Sequence, residues 1–360
     1  MSLLEVTDLT VSFRTADGVV RAVRGVSFGV DAGQTLGIVG ESGSGKTVLT
    51  QTLLGLTPGA AVTGKAMFDG TDLLQLSQRQ MQDVRGAQIS VIFQDPLTSL
   101  HPLYRVGWQI AEIIRAHDKT VKKKEAAERV VELLRRVGIP RAEQRVNDYP
   151  HQFSGGMRQR AMIAMALANS PKLIIADEPT TALDATVQAQ ILDLLLNLQR
   201  DSGTALIMIT HDLGVVADIA DNVMVMYAGR AAEKGTKHHI FYEPHHPYTK
   251  GLLESIPGSS AVGDRLKPIP GQPPSLINLP SGCKFHPRCA YVLDRCLTEE
   301  PALHQIGADF THSSACWLPQ SAVGLDGMAE TVREETVREG RQGVAVEVAE
   351  SIAASPEAQS

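Results

Sequence analysis

A glycine-rich segment near the start of the chain carries residues that could hold the phosphates of a nucleotide. It spans residues 40–47 and reads G-E-S-G-S-G-K-T. Its glycines allow backbone N–H groups to turn inward around anionic oxygens. The Lys46 side chain could reach the β- and γ-phosphates, and the Thr47 hydroxyl could bind Mg²⁺. The predicted binding residues of this segment are Gly40, Ser42, Gly43, Ser44, Gly45, Lys46 and Thr47.

Two acidic residues follow an apolar run in the second half of the chain. Asp177 and Glu178 come directly after residues 173–176, which read L-I-I-A. Asp177 is suited to hold Mg²⁺ through water, and Glu178 is placed to orient or deprotonate an attacking water. Together with the glycine-rich segment, these carboxylates predict ATP hydrolysis.

A second glycine-rich segment, residues 154–159, reads S-G-G-M-R-Q. It precedes a predicted helix over residues 157–168. The Ser154 hydroxyl and the backbone N–H groups of Gly155 and Gly156 would then lie at the N-terminus of that helix, where anions are favoured. The segment therefore predicts a second anion site.

Short apolar runs predict the elements that position these groups. Residues 35–39 form a candidate buried strand, and a helix is expected after the first glycine-rich segment. Residues 173–176 and 205–209 predict two more strands, with a helix over about 186–199 between them. Strands that alternate with helices indicate a parallel sheet, so the predicted fold class is α/β. Residues 98–170 are expected to be predominantly helical.

The order and spacing of these segments resemble the nucleotide-binding subunits of ATP-binding cassette proteins over residues 3–235. Residues 154–159 match the family's signature sequence, and residues 181–184 (T-A-L-D) match its D-loop. The resemblance implies a P-loop NTPase (RecA-like) core with an antiparallel β subdomain and a helical signature subdomain. It also implies a small, loop-rich C-terminal module containing the cysteines.

Three single residues extend the resemblance. Phe13 matches the aromatic residue that stacks on adenine, Gln94 matches the Q-loop glutamine, and His211 matches the switch histidine. The implied catalytic residues are Glu178, His211 and Gln94. The implied Mg²⁺ ligands are Thr47, Gln94 and Asp177. The further nucleotide-binding residues that the resemblance implies are Phe13, Gln94, Asp177, Ser154, Gly155, Gly156, Gln159 and Asp184.

The resemblance also implies a dimer. In the family, the signature segment of one subunit faces the γ-phosphate of the ATP held by the other subunit. Two ATP molecules then join two subunits, and hydrolysis opens the interface. The expected partner is a second ATPase subunit, either identical or related.

Four cysteines lie in one late segment of the chain, at Cys283, Cys289, Cys296 and Cys316. A cytosolic setting disfavours disulfides. Zinc sites usually include a close C-x₂₋₄-C pair, which is missing here, and four thiolates would also suit an iron–sulfur cluster. Zinc, a cluster and metal-free thiols all stay open on the residues alone.

The flanking sequence resembles the oligopeptide and dipeptide importer branch of the family. The segments that carry this resemblance are residues 95–102 (D-P-L-T-S-L-H-P), 246–253 (H-P-Y-T-K-G-L-L) and 282–289 (G-C-K-F-H-P-R-C). In some of these proteins the cysteines hold a [4Fe–4S] cluster. The resemblance therefore implies such a cluster on the four cysteines, with zinc and metal-free thiols as alternatives.

Composition narrows the setting in which the chain works. Its 360 residues are 43% hydrophobic and 21% charged, and the net charge is -6. That balance and the low aromatic content of 4% argue against nucleic acid as a partner. No run approaches the roughly 18–20 apolar residues that span a bilayer. With no such run in the chain, the importer resemblance implies a peripheral protein on the cytoplasmic face of the cell membrane, attached through permease subunits.

The predicted domain boundaries follow these motifs. The nucleotide-binding core covers residues 1–95 and 169–235, and the helical signature subdomain covers residues 96–168. Residues 236–320 form the proline-rich C-terminal extension with the cysteines, and its order is expected to depend on something other than a large apolar core. Residues 321–360 hold few large apolar residues and an excess of acids, and are predicted to be disordered.

The importer resemblance implies a complex. Its expected members are this ATPase, a second ATPase subunit, two transmembrane permeases and an extracytoplasmic solute-binding protein. One alternative is an importer of nickel or another small solute, because the ATPase does not touch cargo. Another is a soluble cassette ATPase of translation or DNA repair, although such proteins usually carry two cassettes or a long coiled-coil insertion.

Overall fold

The computed structural model describes residues 2–95, 99–181, 184–256, 268–307 and 311–319. The predicted disordered tail, residues 321–360, lies outside the described residues, as do Ala182 and Leu183 of the D-loop match. Within the described ranges, no helix has both the length and the apolar character needed to cross a membrane.

Two β-sheets form the frame of the described chain. Their strands are β1 (Ser2–Thr15), β2 (Gly18–Asp31), β3 (Thr35–Val39), β4 (Ala61–Phe68), β5 (Thr71–Asp72), β6 (Ile89–Ile92), β7 (Leu173–Asp177), β8 (Ala205–Thr210), β9 (Asn222–Tyr227), β10 (Arg230–Thr236), β11 (His304–Gln305) and β12 (Ser313–Ser314).

Helices connect and cover these strands. The α-helices of the described residues are α1 (Lys46–Leu53), α2 (Gln78–Val84), α3 (Val106–His117), α4 (Lys123–Arg136), α5 (Ala142–Arg145), α6 (Gly155–Leu167), α7 (Ala185–Ser202), α8 (Leu213–Ile219), α9 (Lys237–Tyr242), α10 (Pro247–Glu254) and α11 (Asp294–Thr298). Short 3-10 helices cover Leu73–Gln75, Pro150–Gln152 and His286–Arg288.

The larger sheet has the strand order β11-β12-β10-β9-β3-β8-β7-β6. Strand β3 pairs in parallel with β8 and β9, and β7 pairs in parallel with β6 and β8. Every residue of β3 and β8 is buried, as expected for strands covered on both faces. The predicted parallel sheet is confirmed. Because parallel strands end on the same side, the residues that follow β3 and β7 meet at one edge.

The smaller sheet has the order β2-β1-β4-β5. Strands β1 and β2 form a long antiparallel hairpin in which Thr15 pairs with Gly18 across a turn at residues 16–17. Alternate residues of β1 and β2 enter a core that they share with one face of the larger sheet, including Val11, Val26 and Ile38. This sheet is the predicted antiparallel β subdomain.

Helices α3, α4 and α6 share a second core. Ile110 and Ile114 of α3 and Val130 and Leu134 of α4 are spaced four residues apart and are almost completely buried. That spacing places each pair on one helix face, which explains why the two helices pack together. The predicted helical character of this region is confirmed.

The C-terminal extension differs from the prediction of a separate module without a large apolar core. Tyr248 and Phe285 of the extension belong to the same buried cluster as Val39 and Val225 of the central sheet. Strand β12 pairs with β10 and so extends that sheet. The frequency of proline indicated loops correctly, but it does not reveal which apolar side chains pack against the cassette. Here the apolar side chains of the extension share the core of the cassette.

Candidate nucleotide site

The first glycine-rich segment connects β3 to α1, so it lies at the carboxyl edge of the parallel sheet. Gly40 and Gly45 have φ angles of 150° and 100°, in a region that favours glycine. A side chain at either position would collide with a backbone carbonyl, that of Met226 or that of Ala22. Close packing against neighbouring strands therefore requires glycine at both positions.

Lys46 holds the loop from inside. Its ammonium donates to the carbonyl oxygens of Gly40 at 2.6 Å and Glu41 at 3.0 Å, and to the Ser44 hydroxyl at 3.4 Å. Only 6% of Lys46 is exposed. Burial lowers the pKa of this ammonium, and the carboxylates of Glu178, Asp177 and Glu41 oppose that effect. A buried cation inside a ring of backbone groups fits an anionic phosphate.

Thr47 and Asp177 come together from different elements, at the start of α1 and the end of β7. The Thr47 hydroxyl donates to the Asp177 carboxylate at 3.2 Å. Burial raises the pKa of Asp177, while the hydrogen bond from Thr47 lowers it. A hydroxyl and a carboxylate side by side next to a phosphate loop are the oxygen ligands that Mg²⁺ takes in such sites, so these residues fit the ion.

Glu178 follows β7 in a left-handed backbone conformation, with a φ of 48°. Its N–H donates to the Ile209 carbonyl at 2.8 Å, which ties it to β8. A non-glycine residue in this conformation is unusual and concentrates at functional sites. The turn directs the Glu178 carboxylate away from the strand and towards three polar side chains.

Those side chains come from three separate segments. Gln94 and Thr181 each donate to one Glu178 carboxylate oxygen at 2.9 Å. A ring nitrogen of His211, Nδ1, lies 3.2 Å from the other oxygen. Burial alone would raise the pKa of Glu178, but the hydrogen bonds from His211 and Thr181 outweigh it and the net pKa is lowered. The carboxylate is therefore ionised at neutral pH.

The second glycine-rich segment begins helix α6, as predicted. The Ser154 hydroxyl accepts from the Met157 N–H at 3.3 Å and caps the helix. Ser154 and Gly155 are exposed, and a side chain at Gly155 would meet open space. Within the described residues, no hydrogen bond or ion pair joins Ser154, Gly155 or Gly156 to the Lys46 loop, so the N-terminus of α6 is open to another molecule.

Residues 23–181 match the ABC transporter family, and residues 232–296 match the oligopeptide/dipeptide transporter C-terminal region. The oligopeptide transport ATP-binding protein OppD of Bacillus subtilis is 53% identical over 320 residues, covering 88% of each chain. This chain belongs to the ABC transporter family. The dipeptide transport ATP-binding protein DppD of Lactococcus lactis is 52% identical over 318 residues, covering 88% of this chain and 90% of that one.

Solved ABC cassettes share the fold. The cassette MJ0796, solved as a dimer in a post-hydrolysis state with ADP and Pi, superposes with a TM-score of 0.59 at 26% identity. The match covers 65% of this chain and 98% of that chain. The cbiO1 protein from Clostridium perfringens, part of an ABC transporter complex, gives a TM-score of 0.58 at 30% identity, covering 67% and 91%. The P-loop cassette core is thereby established.

Three residues that the resemblance assigned to nucleotide have other contacts in this ABC chain. Gln159 is 1% exposed and its amide donates to the Pro179 carbonyl, so it joins α6 to the segment after Glu178 inside the subunit. Asp184 is exposed and caps α7 by accepting from the Val187 N–H at 2.9 Å. Phe13 is half-buried in the β1–β2 hairpin, opposite Val20. The placement of Gln159 does not support direct contact with nucleotide.

The four cysteines of the ABC chain line one cavity, together with His246, Phe285 and other residues. All four are free; Cys296 and Cys316 are buried. Burial raises the pKa of Cys283 and Cys289 and raises that of Cys316 to about 12. Nowhere among the described residues do three or more His, Cys, Asp or Glu side chains take positions that could hold a metal ion. The structure does not support the predicted [4Fe–4S] cluster, because the thiols gather without forming a ligand set.

One set of contacts at the phosphate loop was not predicted from the sequence. Glu41, the second residue of the loop, pairs with Arg288 of the C-terminal extension, and its N–H donates to the Tyr248 hydroxyl. Both partners lie in segments that were recognised by resemblance, 246–253 and 282–289, but no role was attached to either residue. Glu41 and Arg288 carry opposite charges, which was the one available sign of a contact. They are 247 positions apart, however, and nothing in the sequence indicates that they are partners.

Proposed function

We propose that this chain is the ATP-hydrolysing subunit that powers an importer of dipeptides or oligopeptides. The observation that carries the proposal is the Glu178 carboxylate, held by Gln94, Thr181 and His211 beside the Lys46 loop. The similarity to OppD and DppD over most of the chain supports the peptide as cargo. Nickel or another small solute is the alternative cargo.

The contacts and the family resemblance together support the proposed roles. Lys46 and the N–H groups of the loop bind the β- and γ-phosphates, and Phe13 stacks on the adenine. Thr47 and Asp177 hold Mg²⁺, which when bound neutralises charge on the phosphates. Glu178 accepts a hydrogen bond from the attacking water and aligns it with the γ-phosphate. His211 and Thr181 keep the carboxylate ionised, and together with Gln94 they fix its direction.

The second half of each site comes from another subunit in this proposal. The exposed Ser154 hydroxyl and the N–H groups at the start of α6 would contact the γ-phosphate of ATP bound by a partner ATPase, with Asp184 at the same interface. ATP would then stabilise the closed dimer, and loss of the γ-phosphate would release it. The partner is a second cassette ATPase, either a copy of this chain or a relative.

A groove next to Gln94 supports attachment to membrane subunits. It has a volume of about 680 Å³ and lies between the sheet and the helical subdomain. Its lining is largely apolar and includes Val91, Phe93, Ile113, Met162 and Met165. Phe93 and Leu56 of this lining are 41% and 36% exposed, so the groove presents a contiguous apolar surface of the kind found at protein–protein contacts. We propose that a cytoplasmic helix of a permease docks here.

The proposed complex contains two permease subunits, two ATPase subunits and an extracytoplasmic solute-binding protein. The ATPase would lie on the cytoplasmic face of the cell membrane, bound through the permeases. A movement of the Gln94 segment, which contacts both the groove and Glu178, would couple docking to hydrolysis.

Isolation from membranes tests the assignment. The tagged chain, extracted in mild detergent, should co-purify with polytopic permease subunits, and the complex should hydrolyse ATP faster when the solute-binding protein is added with peptide. A Phe93→Asp variant should lose the permeases but keep ATP binding. Recovery of ribosomes or DNA-repair proteins in place of permeases would contradict the proposal. If a metal ion without peptide increased the rate of ATP hydrolysis, the cargo would be that ion and not a peptide.

The cysteines enter the proposal only as a prediction from resemblance. The resemblance alone supports a [4Fe–4S] cluster on these thiols: they line one cavity, but the described residues form no group of three or more side chains placed to hold a metal ion. Anaerobically purified protein with a cluster would be brown and contain about four irons per chain. Zinc in place of iron, or no metal, would reject the cluster.

A further inference from the structure

Glu41 has an unusual place in the phosphate loop, because its carboxylate is paired with a residue 247 positions later. Arg288 donates from Nη1 at 2.6 Å and from Nη2 at 2.9 Å to the two carboxylate oxygens. Two parallel hydrogen bonds from one guanidinium fix direction as well as distance. The side chain of the second loop residue is therefore held by the C-terminal extension.

Arg288 is itself held rigidly. Its side chain is 4% exposed, and Nε donates to the Pro270 carbonyl at 2.8 Å. The guanidinium lies 5.8 Å from the ring of Tyr227 and 5.9 Å from that of Phe285. The hydrogen bonds with Glu41 raise the pKa of Arg288 further, so the cation is permanent. A buried, permanent cation needs its carboxylate partner.

The backbone of Glu41 is also held on both sides. Its N–H donates to the Tyr248 hydroxyl at 2.8 Å, and its carbonyl accepts from Lys46 at 3.0 Å. Tyr248 is completely buried, and its own N–H donates to the His246 ring at 3.1 Å. Two of the three groups that fix Glu41 thus belong to the C-terminal extension.

The position of Arg288 depends on the segment around it. The 3-10 helix His286–Arg288 lies between Cys283 and Cys289. The Arg288 N–H donates to the Phe285 carbonyl at 2.9 Å, and the Cys283 N–H donates to the Cys296 carbonyl at 2.8 Å. These hydrogen bonds attach Arg288 to the buried part of the extension. The arginine is therefore held in place where it contacts the phosphate loop.

We propose that Arg288, together with Tyr248, is a positioning residue for the phosphate-binding loop, which makes the C-terminal extension part of the ATP site. The inference depends on the proposed function in taking ATP as the ligand of the loop. Holding Glu41 fixes the start of the loop, so the N–H groups that follow are arranged before the phosphates arrive. A loop that is ordered in advance loses less conformational entropy on binding.

The expected effect is on affinity. We expect Arg288→Met to raise the Kd for Mg-ATP, and the KM of hydrolysis, about tenfold, which corresponds to about 1.4 kcal/mol. The kcat should change less than about twofold, because Glu178 and its partners are untouched. Tyr248→Phe, which removes one hydroxyl, should raise the Kd about threefold. Arg288→Lys keeps the charge without the fork and should recover part of the affinity.

A double variant tests the pairing directly. Glu41→Gln combined with Arg288→Met should bind ATP about as well as Arg288→Met alone, because both changes remove the same contact. Additive losses would mean that Arg288 acts on the site by another route and would overturn the proposal.

Glu300→Gln is the matched control. Glu300 anchors the same extension through Arg24 at 2.6 Å and is close to Arg230 and Lys284. In the described structure it has no contact with the phosphate loop. Its loss should leave the Kd for Mg-ATP unchanged. If Glu300→Gln weakens ATP as much as Arg288→Met does, the arginine merely anchors the extension and the proposal is wrong.

The experiment is a titration of the full chain with a fluorescent ATP analogue and Mg²⁺, followed by steady-state hydrolysis. Circular dichroism melting shows which variants are folded, and Tyr248→Phe and Arg288→Lys carry the test if Arg288→Met does not fold. A wild-type chain that fails to bind the analogue would contradict the proposed function. A wild-type chain that binds it, with unchanged Kd values in the Arg288 and Tyr248 variants, would overturn this inference alone.

Discussion

The nucleotide site and the thiol cavity, which is lined by the four cysteines, both gather groups that can do chemistry. They differ in what surrounds those groups. At Glu178, burial raises the pKa of the carboxylate, but the hydrogen bonds from His211 and Thr181 outweigh it and the net pKa is lowered. In the thiol cavity, burial is again the largest effect and no contact outweighs it, so the pKa of Cys283, Cys289 and Cys316 is raised. The difference shows that the neighbours of Glu178 hold this carboxylate in its charged form, whereas the surroundings of the thiols hold them in their neutral form.

Removal of the Glu178 carboxylate is expected to have the largest effect on activity. We expect Glu178→Gln to lower the kcat of ATP hydrolysis about a thousandfold, because an amide cannot accept the proton of the attacking water. ATP binding and ATP-dependent dimerisation should persist, since Lys46 and Thr47 are unchanged. Phosphate release and size-exclusion chromatography measure the two properties.

A carboxylate outside the site serves as the control. Glu132 is exposed on α4 and pairs with Arg135 at 3.2 Å. Glu132→Gln should hydrolyse ATP at the wild-type rate. If Glu178→Gln hydrolyses ATP at the wild-type rate, Glu178 does not have its proposed role. Its ionised carboxylate would then be no more important for catalysis than the neutral thiols are.

In the thiol cavity, we expect the cysteines to react slowly with alkylating reagents. Because Cys316 is buried and its pKa is raised to about 12, its thiolate is scarce at pH 8. We expect iodoacetamide to modify it at least about a hundredfold more slowly than in the chain unfolded by urea. Mass spectrometry of timed samples gives the rate at each cysteine. Equal rates in the folded and unfolded chains would mean that the cavity does not suppress the thiolate.

One proposed oxygen ligand of Mg²⁺, the Thr47 hydroxyl, can be tested by substitution. Thr47→Val removes the hydroxyl that contacts Asp177 and keeps the shape of the side chain. We expect the Mg²⁺ concentration for half-maximal hydrolysis to rise about tenfold, since one of the ion's oxygen ligands is lost. Thr50→Val, one turn later in α1, is the matched control and should leave the Mg²⁺ dependence unchanged. No shift in Thr47→Val would show that the ion is held elsewhere.

The smallest expected effect concerns the ion pairs that attach the C-terminal extension. Burial raises the pKa of Glu300, but Arg24, Lys284 and Arg230 outweigh it, so the folded pKa is lowered. The ionised carboxylate therefore stabilises the fold above the unfolded pKa of about 4.3, and this contribution is lost as the pH falls through the folded value. Glu300→Gln should reduce stability by about 1–2 kcal/mol at pH 7.

Urea unfolding at two pH values measures this contribution. The difference between wild type and Glu300→Gln should be present at pH 7 and should shrink at pH values below the folded pKa of Glu300. A difference that does not change with pH would mean that packing, and not charge, attaches the extension.

Much of the nucleotide site could be predicted from the sequence because its parts are local. The strand at residues 35–39 was predicted with the bounds that the structure shows, and the loop after it follows from glycine spacing. Asp177 and Glu178 were predicted at the end of a strand, where they lie. Such features depend on backbone conformations and apolar runs that neighbouring residues determine.

Other contacts could not be predicted because they join distant segments. The resemblance implied that Gln159 binds nucleotide, yet it is buried and its amide donates to the Pro179 carbonyl. The C-terminal extension looked like a separate module because its prolines indicate loops, yet Tyr248 and Phe285 complete the core over the central sheet. Spacing along the chain does not reveal which side chain fills which gap.

The sequence by itself determined the phosphate loop, the carboxylates that follow β7 and the family to which the chain belongs. Each depends on residue types at short spacing, where chain connectivity limits the possible geometries. Only the tertiary structure shows that Arg288 and Tyr248 reach Glu41. It also shows that the cysteines line one cavity, and that the part of the chain it describes has no group of three or more His, Cys, Asp or Glu side chains placed to hold a metal ion. Those outcomes depend on how distant surfaces pack, and packing is a property of the whole folded chain.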